Sequence, residues 1–241
     1  MSTNSVNVEH LPWDSDFFGC SVGRVTLSEG GVDPKTLKKA ILDADCALTY
    51  VFLPILGEAI NEIEKPRGTL VDLGGRCCDL KTVYRKMVDG GRGASQENAV
   101  TATQMSSKLE ALAYASGWCS RFVSDDRLSK FFKPMYRKWL ERDLVRGRVF
   151  VYPSVEHPEG MVTASICDGT GKVGLVAVDA SSCGKGIATT LLANMEAWLA
   201  SLGVHECEVV TQGVNVAARH LYEKVGFKLH AQMEVWHVWK S

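Results

Sequence analysis

The segment Asp179 to Ala188, read as Asp-Ala-Ser-Ser-Cys-Gly-Lys-Gly-Ile-Ala, constrains this chain more than any other. A β-rich run, Gly174 to Val178, leads into it. A helical pattern follows, with apolar residues at 187, 191, 192, 195, 198, 199 and 202. Strand, tight turn and helix in direct succession place the conformational demand on Gly184 and Gly186, which let the backbone approach a ligand where a Cβ would obstruct it. The start of the helix presents unpaired N–H groups and the positive end of a dipole, and Lys185 adds a mobile cation. The physical deduction is a phosphate or pyrophosphate site. A sharp turn with no ligand is the competing reading, and neither the Rossmann nor the Walker glycine spacing is present.

The surroundings read as mixed α/β. Met161 to Cys167 and Val173 to Val178 flank Asp168-Gly169-Thr170-Gly171, a strong hairpin signal. Phe131 to Arg142 has the spacing of an amphipathic helix, with Met135, Trp139 and Leu140 on one side. Val149 to Tyr152 and Glu206 to Val210 read as strands, Asn215 to Val225 as a helix, and Phe227 to Trp239 as a pair of short strands. Earlier, Ala47 to Leu53 reads as a strand and Ile55 to Glu64 as a helix ended by Pro66-Arg67-Gly68, with a strand from Thr69 to Leu73. Gly90 to Gly93 with Ser95 to Asn98 reads as a loop. This organisation predicts two domains, 1–105 and 106–241, the first a smaller α/β unit.

Composition excludes several functions. The formal net charge is −1, which gives no global electrostatic reason to bind nucleic acid or an anionic membrane. No apolar run approaches the roughly 20 residues of a membrane span. The polar start, Met1 to Glu9, lacks the layout of a signal peptide. The 8 cysteines contain no C-x-x-C pair, so they read as reduced, mostly buried thiols of a cytoplasmic protein, with no metal site.

The turn and its helix resemble the acetyl-CoA signature of the GNAT superfamily of N-acetyltransferases, commonly written R/Q-x-x-G-x-G/A. Ala188 fills the last position, while Cys183 stands where Arg or Gln is usual and removes a side-chain donor. Downstream, Asn215, Ala218, Tyr222, Gly226 and Phe227 match the superfamily's closing pattern N-x-x-A-x-x-x-Y-x-x-x-G-F. On a helix, Asn215, Ala218 and Tyr222 share one face. The resemblance implies a GNAT fold built on a mixed sheet and acetyl-CoA as cofactor. It implies cofactor contacts at Val176, Ala177, Val178, Cys183, Gly184, Lys185, Gly186, Ile187, Ala188, Thr189, Asn215, Ala218 and Tyr222. In that scheme Asn215 caps its helix, Ala218 keeps the face low, and Tyr222 is the general acid for the departing thiolate, because a phenol's pKa lies near that of an alkanethiol. No acyl-enzyme is needed for direct transfer in a ternary complex. Cys183 sits on the pyrophosphate side and is not a nucleophile, although a helix N-terminus can acidify its thiol. The general base is open among Glu208, His205 and a water.

The acceptor is read from other stretches. Trp13 to Gly19, Ser116 to Phe122, Val210 to Gln212 and Trp236 to Trp239 resemble the TDP-fucosamine acetyltransferase group, which N-acetylates nucleotide-linked amino-deoxy sugars. That resemblance implies acceptor contacts at Trp118, Ser120, Arg121, Gln212 and His237. Arg121 can fork onto a phosphate, Trp118 or Phe122 can stack on a ring, and Gln212 and His237 can hydrogen-bond sugar hydroxyls. Each also fits an ordinary structural role. Two alternatives stay open: acetylation of a protein N-terminus, lysine or small metabolite amine, and a non-catalytic CoA-binding module. A homodimer is compatible with the sequence. The N-terminal domain is read as a degenerate GNAT-like unit contributing to the acceptor site.

Overall fold

A computed structural model of the chain describes residues 6–28, 32–55, 63–88 and 99–240. By internal contacts the chain divides into two units, one comprising 1–82, 212–214 and 231–241, the other 83–211 and 215–230. The boundary expected near residue 105 falls within the second unit, between β5 (Val100–Ala102) and α4 (Ser107–Ser116).

The first unit opens with β1 (Glu9–His10), α1 (Pro12–Phe18), β2 (Val22–Thr26) and α2 (Pro34–Asp43). Then follow β3 (Leu48–Pro54), α3 (Glu64–Asp72) and the first half of β4 (Arg76–Met87). The strand order is β1-β2-β3-β10, with β2 parallel to β3 and the end of β10 (Lys228–Trp239) antiparallel to β3. Leu37, Ile41 and Leu70 from the helices pack on Val25, Val51 and Trp236 of the strands. In α1 the Trp13 and Phe17 rings stack with centroids 5.1 Å apart.

Two expectations here are corrected. Pro66-Arg67-Gly68 does not end a helix; it lies inside α3, where Pro66 falls in the first turn and its missing N–H costs no intrahelical bond. Thr69 to Leu73 is therefore not a strand. The helix expected over residues 55–64 falls largely on residues outside those described, as does the glycine-rich loop expected at 90–98.

The second unit contains β5, α4, α5 (Arg121–Ser124), α6 (Phe132–Arg146) and β6 (Arg148–Tyr152). It continues through β7 (Gly160–Cys167), β8 (Thr170–Val178), α7 (Ile187–Ser201), β9 (Glu206–Gln212) and α8 (Val216–Lys224). Strands run in the order β4-β9-β8-β7-β6-β5, antiparallel from β8 to β5, with β8 and β9 parallel. The mixed α/β class is as expected. The β7–β8 hairpin turns at Asp168 and Gly169, both at positive φ (50° and 74°), the requirement of a two-residue turn matched to strand twist. Ile187, Leu191, Leu192, Met195 and Leu199 bury one stripe of α7 against Val162, Val173 and Val209.

Phe227 to Trp239 is not a pair of strands. Lys228 to Trp239 runs as one strand, because nothing in His230-Ala231-Gln232-Met233 supplies the positive φ or the fixed turn that would break it. The cysteines are not mostly buried: Cys46, Cys78 and Cys207 are buried, Cys20 and Cys119 half-buried, and Cys77, Cys167 and Cys183 exposed.

Candidate active site

The β8–α7 connection is built to leave backbone donors open. Asp179 starts it, its carboxylate accepting from the N–H and hydroxyl of Ser181 at 3.0 and 2.7 Å. Lys108 of α4 forms an ion pair with the same carboxylate and, with the Ser181 bonds, holds Asp179 well below the usual carboxylate range. Ser182 is buried and donates to Glu159 at 2.6 Å. Lys185 donates to Ser182 Oγ at 3.2 Å and lies 3.9 Å from Glu159. Cys183 is exposed, its thiol turned back to the Asp179 carbonyl at 3.5 Å.

Gly184 and Gly186 both sit at φ +80°, and a Cβ at either would meet open space. Gly186 is the N-cap of α7 and has no side chain to cap it. The first intrahelical bond runs from Thr190 N–H to Gly186 C=O, so the N–H groups of Ile187, Ala188 and Thr189 precede the helical ladder. Such an uncapped, exposed helix start fits an anion.

Beside the turn, the edge of β8 is open among the described residues. Its parallel ladder with β9 runs from Gly171↔Cys207 to Val173↔Val209 and ends there. Beyond it, Leu175 N–H bonds Thr163 Oγ1 and Asp179 N–H bonds Glu159 C=O, both toward β7. Alternation along the strand then turns the N–H and C=O groups of Val176 and Val178 to the opposite, open edge, and those of Ala177 to β7.

Asn215 is the N-cap of α8, its Oδ1 accepting from Ala218 N–H at 3.2 Å. Ala218 is partly buried against the α7 core. Tyr222 is buried in that core, with ring centroids 6.0 Å from Tyr84 and 5.8 Å from Phe227. Burial pushes the Tyr222 phenol well above the ordinary tyrosine range, which keeps it protonated. Tyr84 donates to Glu223 at 2.8 Å and accepts from Arg219 at 3.4 Å.

Of the two side chains offered as a base, Glu208 is engaged: Lys172 and Arg85 donate to its two oxygens at 2.9 and 3.0 Å. Burial raises its pKa, but these two cations more than offset that, and the carboxylate is held ionised. His205 is exposed at the start of β9.

Among the residues expected to meet the acceptor, Trp118 and Ser120 lie between α4 and α5, and Arg121 is the first residue of α5. Trp118 is 62 % exposed. Ser120 is buried and its Oγ has no hydrogen-bond partner among the described residues. Arg121 lies over the Phe122 ring, 4.6 Å from its centroid, and Phe122 meets Trp139 edge-on. Gln212 and His237 belong to the first unit, where His237 is buried against Tyr50 at 4.8 Å. Sequence reasoning missed Lys108, Glu159 and Tyr84. They brace the turn and Tyr222 across 71, 23 and 138 residues, separations at which no local pattern survives.

Residues 117–227 match the sequence model of the acetyltransferase (GNAT) family. This segment is similar to GNAT acetyltransferase domains. The match spans the uncapped α7 start, the open edge of β8 and α8, so the geometry above is that of the domain itself. No curated protein matches the chain in sequence. Among solved structures, a conserved protein of unknown function from Staphylococcus epidermidis aligns over 100% of this chain and 94% of its own, at 11% identity and TM-score 0.63. A GCN5-related N-acetyltransferase from Sphaerobacter thermophilus aligns over 79% of this chain at 17% identity and TM-score 0.52, and this chain spans 59% of that protein's length. A GCN5-related N-acetyltransferase from Kribbella flavida aligns over 92% of this chain and 82% of its own, at 14% identity and TM-score 0.52. At these identities the likeness is one of fold. Among the described residues no helix is long and apolar enough to cross a membrane.

Proposed function

We propose that the chain moves the acetyl group of acetyl-CoA to the amino group of a nucleotide-linked amino-deoxy sugar, by direct attack in a ternary complex with Tyr222 as general acid. One observation carries the acetyl-transfer part. The uncapped start of α7, the open edge of β8 and the buried phenol of Tyr222 all belong to one unit.

Each residue then has a task set by its geometry. The N–H groups of Ile187, Ala188 and Thr189, with those of the turn at Gly184 and Gly186, hold the pyrophosphate, and Lys185 screens its charge. Among the described residues, the partners Lys185 would leave are Ser182 and a distant Glu159. Val176 and Val178 offer amide groups to the pantetheine arm, as the members of the expected trio whose main chain faces the open edge; Ala177 supports them from the β7 side. Cys183 contributes backbone only. Asn215 orders the first turn of α8, and Ala218 leaves room beside it. Acetyl-CoA supplies an activated thioester. Burial keeps Tyr222 protonated but makes it a weaker acid than the ordinary phenol that matches an alkanethiol, so its part is to hold the proton, by hydrogen bond, at the leaving sulfur. The base is a water or the acceptor's own equilibrium with its free amine, because Glu208 is already held by two cations.

The sugar assignment is supported by the resemblance of the Trp118–Arg121 stretch and by its chemistry. Trp118 offers an exposed ring and Ser120 a buried hydroxyl with capacity to spare. The test is a comparison of kcat/KM for thiol release with TDP- and UDP-amino sugars, with peptides bearing free N-termini or lysine, and with small polyamines. Preference for the amino sugars by tenfold or more supports the assignment, and turnover confined to peptides or polyamines overturns it. Binding of CoA with no turnover on any amine assigns a non-catalytic module instead.

A further inference from the structure

We infer that Thr163 and Asp143 are positioning residues for the cofactor, acting through a β-bulge that they lock into β8. This rests on the proposed use of the open β8 edge by acetyl-CoA. The β7–β8 register pairs Val162 with Val176 but Ala164 with Val173. Two residues of β8, Gly174 and Leu175, therefore face the single residue Thr163. The bulge lies immediately past Val173↔Val209, where the β8–β9 ladder ends.

A bulge leaves an amide without its ladder partner, and here a side chain takes that place. Leu175 N–H donates to Thr163 Oγ1 at 2.9 Å, and that hydroxyl donates onward to Asp143 Oδ2 at 2.6 Å. Asp143 comes from α6 and is 3 % exposed; its other oxygen accepts from Arg142 at 2.9 and 2.8 Å. Position 174 must be small, since a Cβ there would stand 2.5 Å from Thr163 Oγ1 and 3.2 Å from Asp143 Oδ2.

The consequence is a change of phase along the strand. Val173, Val176 and Val178 all pack toward the α7 core, which strict alternation from Val173 would forbid. The same shift decides which amides reach the open edge. With the bulge they are those of Val176 and Val178; without it they would be those of Leu175 and Ala177, two residues whose side chains lie outside the α7 core. Thr163 and Asp143 thus select the donor and acceptor pattern that the pantetheine arm meets, without touching it.

The experiment measures CoA affinity by calorimetry, and the KM values for acetyl-CoA and amine, in Thr163→Val, Thr163→Ser and Asp143→Asn. Thr163→Val keeps the side-chain volume and removes the hydroxyl. We expect it to weaken CoA about tenfold, the effect of one or two misdirected amides, and to raise KM for acetyl-CoA but not for the amine. Thr163→Ser restores the hydroxyl and should return CoA affinity to within threefold of wild type. Gly169→Ala, strained at the distant hairpin, controls for lost stability alone and should leave affinity unchanged. CoA affinity within twofold of wild type in folded Thr163→Val overturns the inference. If that variant does not fold, Asp143→Asn decides in the same way, with three- to tenfold weakening expected. Amide exchange of Leu175 separates this from the proposed function. Exchange at least tenfold faster in Thr163→Val supports the clamp even if wild type fails to bind CoA, and unchanged exchange removes it.

Discussion

Gly186→Ala probes the uncapped helix start most sharply. Gly186 sits at φ +80°, so an L-residue there incurs about 1–2 kcal/mol of left-handed strain. In a chain of this size that lowers Tm by roughly 2–8 °C. Strain alone does not report on function, so a matched perturbation is needed. Gly169 provides one: φ +74° in the β7–β8 hairpin, and open space where its Cβ would stand. Gly169→Ala should therefore lose a similar Tm. The two variants must part in CoA affinity. At Gly186 the new Cβ enters the space from which an anion would approach the N–H groups of Ile187 to Thr189. A charge-assisted bond is worth about 1.5–3 kcal/mol, so disturbing one weakens CoA by roughly 10- to 100-fold. Differential scanning calorimetry and titration calorimetry with CoA measure both quantities. Equal Tm losses with CoA affinity retained in Gly186→Ala would refute the assignment of this turn to the pyrophosphate.

Tyr222→Phe should lower kcat by about 10²-fold or more with CoA affinity within twofold, read by steady-state kinetics and calorimetry. Because burial raises the Tyr222 pKa, the acid form persists as pH rises through the ordinary tyrosine value near 10; a wild-type alkaline loss of kcat centred below pH 9 and abolished in Tyr222→Phe would contradict its role. Glu208 has a lowered pKa, so its contribution to stability is present above the unfolded value near 4.3 and is lost as pH falls through the folded one. Glu208→Gln should accordingly melt about 2–4 °C below wild type at pH 7, the difference vanishing toward pH 3 in a pH series of melting curves. Under native alkylation followed by mass spectrometry, Cys183 and Cys167 should label before Cys46, Cys78 and Cys207, the last with its thiol pushed up to about 12 by burial, and CoA should protect Cys183 alone.

What the sequence reveals is whatever depends on residues close together in the chain. Asp168-Gly169 specifies its hairpin because two adjacent residues must take positive φ. Asn215 announces the start of α8 because its side chain reaches only as far as Ala218. Gly184 and Gly186 mark a turn that no other residue type accommodates without strain. The failures have an equally local cause. Pro66 reads as a terminator from the sequence, yet in the first turn of α3 a proline is tolerated, and only the helix's true start distinguishes the two cases. The β8 bulge is invisible because Gly174 and Leu175 sit in an ordinary β-rich run; Thr163 and Asp143, the residues that make it, lie 12 and 32 residues from Leu175. For the same reason Glu208 reads as a free carboxylate until Lys172 and Arg85 are found on its oxygens.

Direct, amine-dependent transfer is tested most simply by a single turnover with acetyl-CoA carrying an isotopic label in the acetyl group. In the presence of the acceptor, each thiol released should match one labelled N-acetyl product, and without it neither free thiol nor labelled protein should accumulate. Thiol release that ignores the amine, or label retained covalently on the chain, would contradict it.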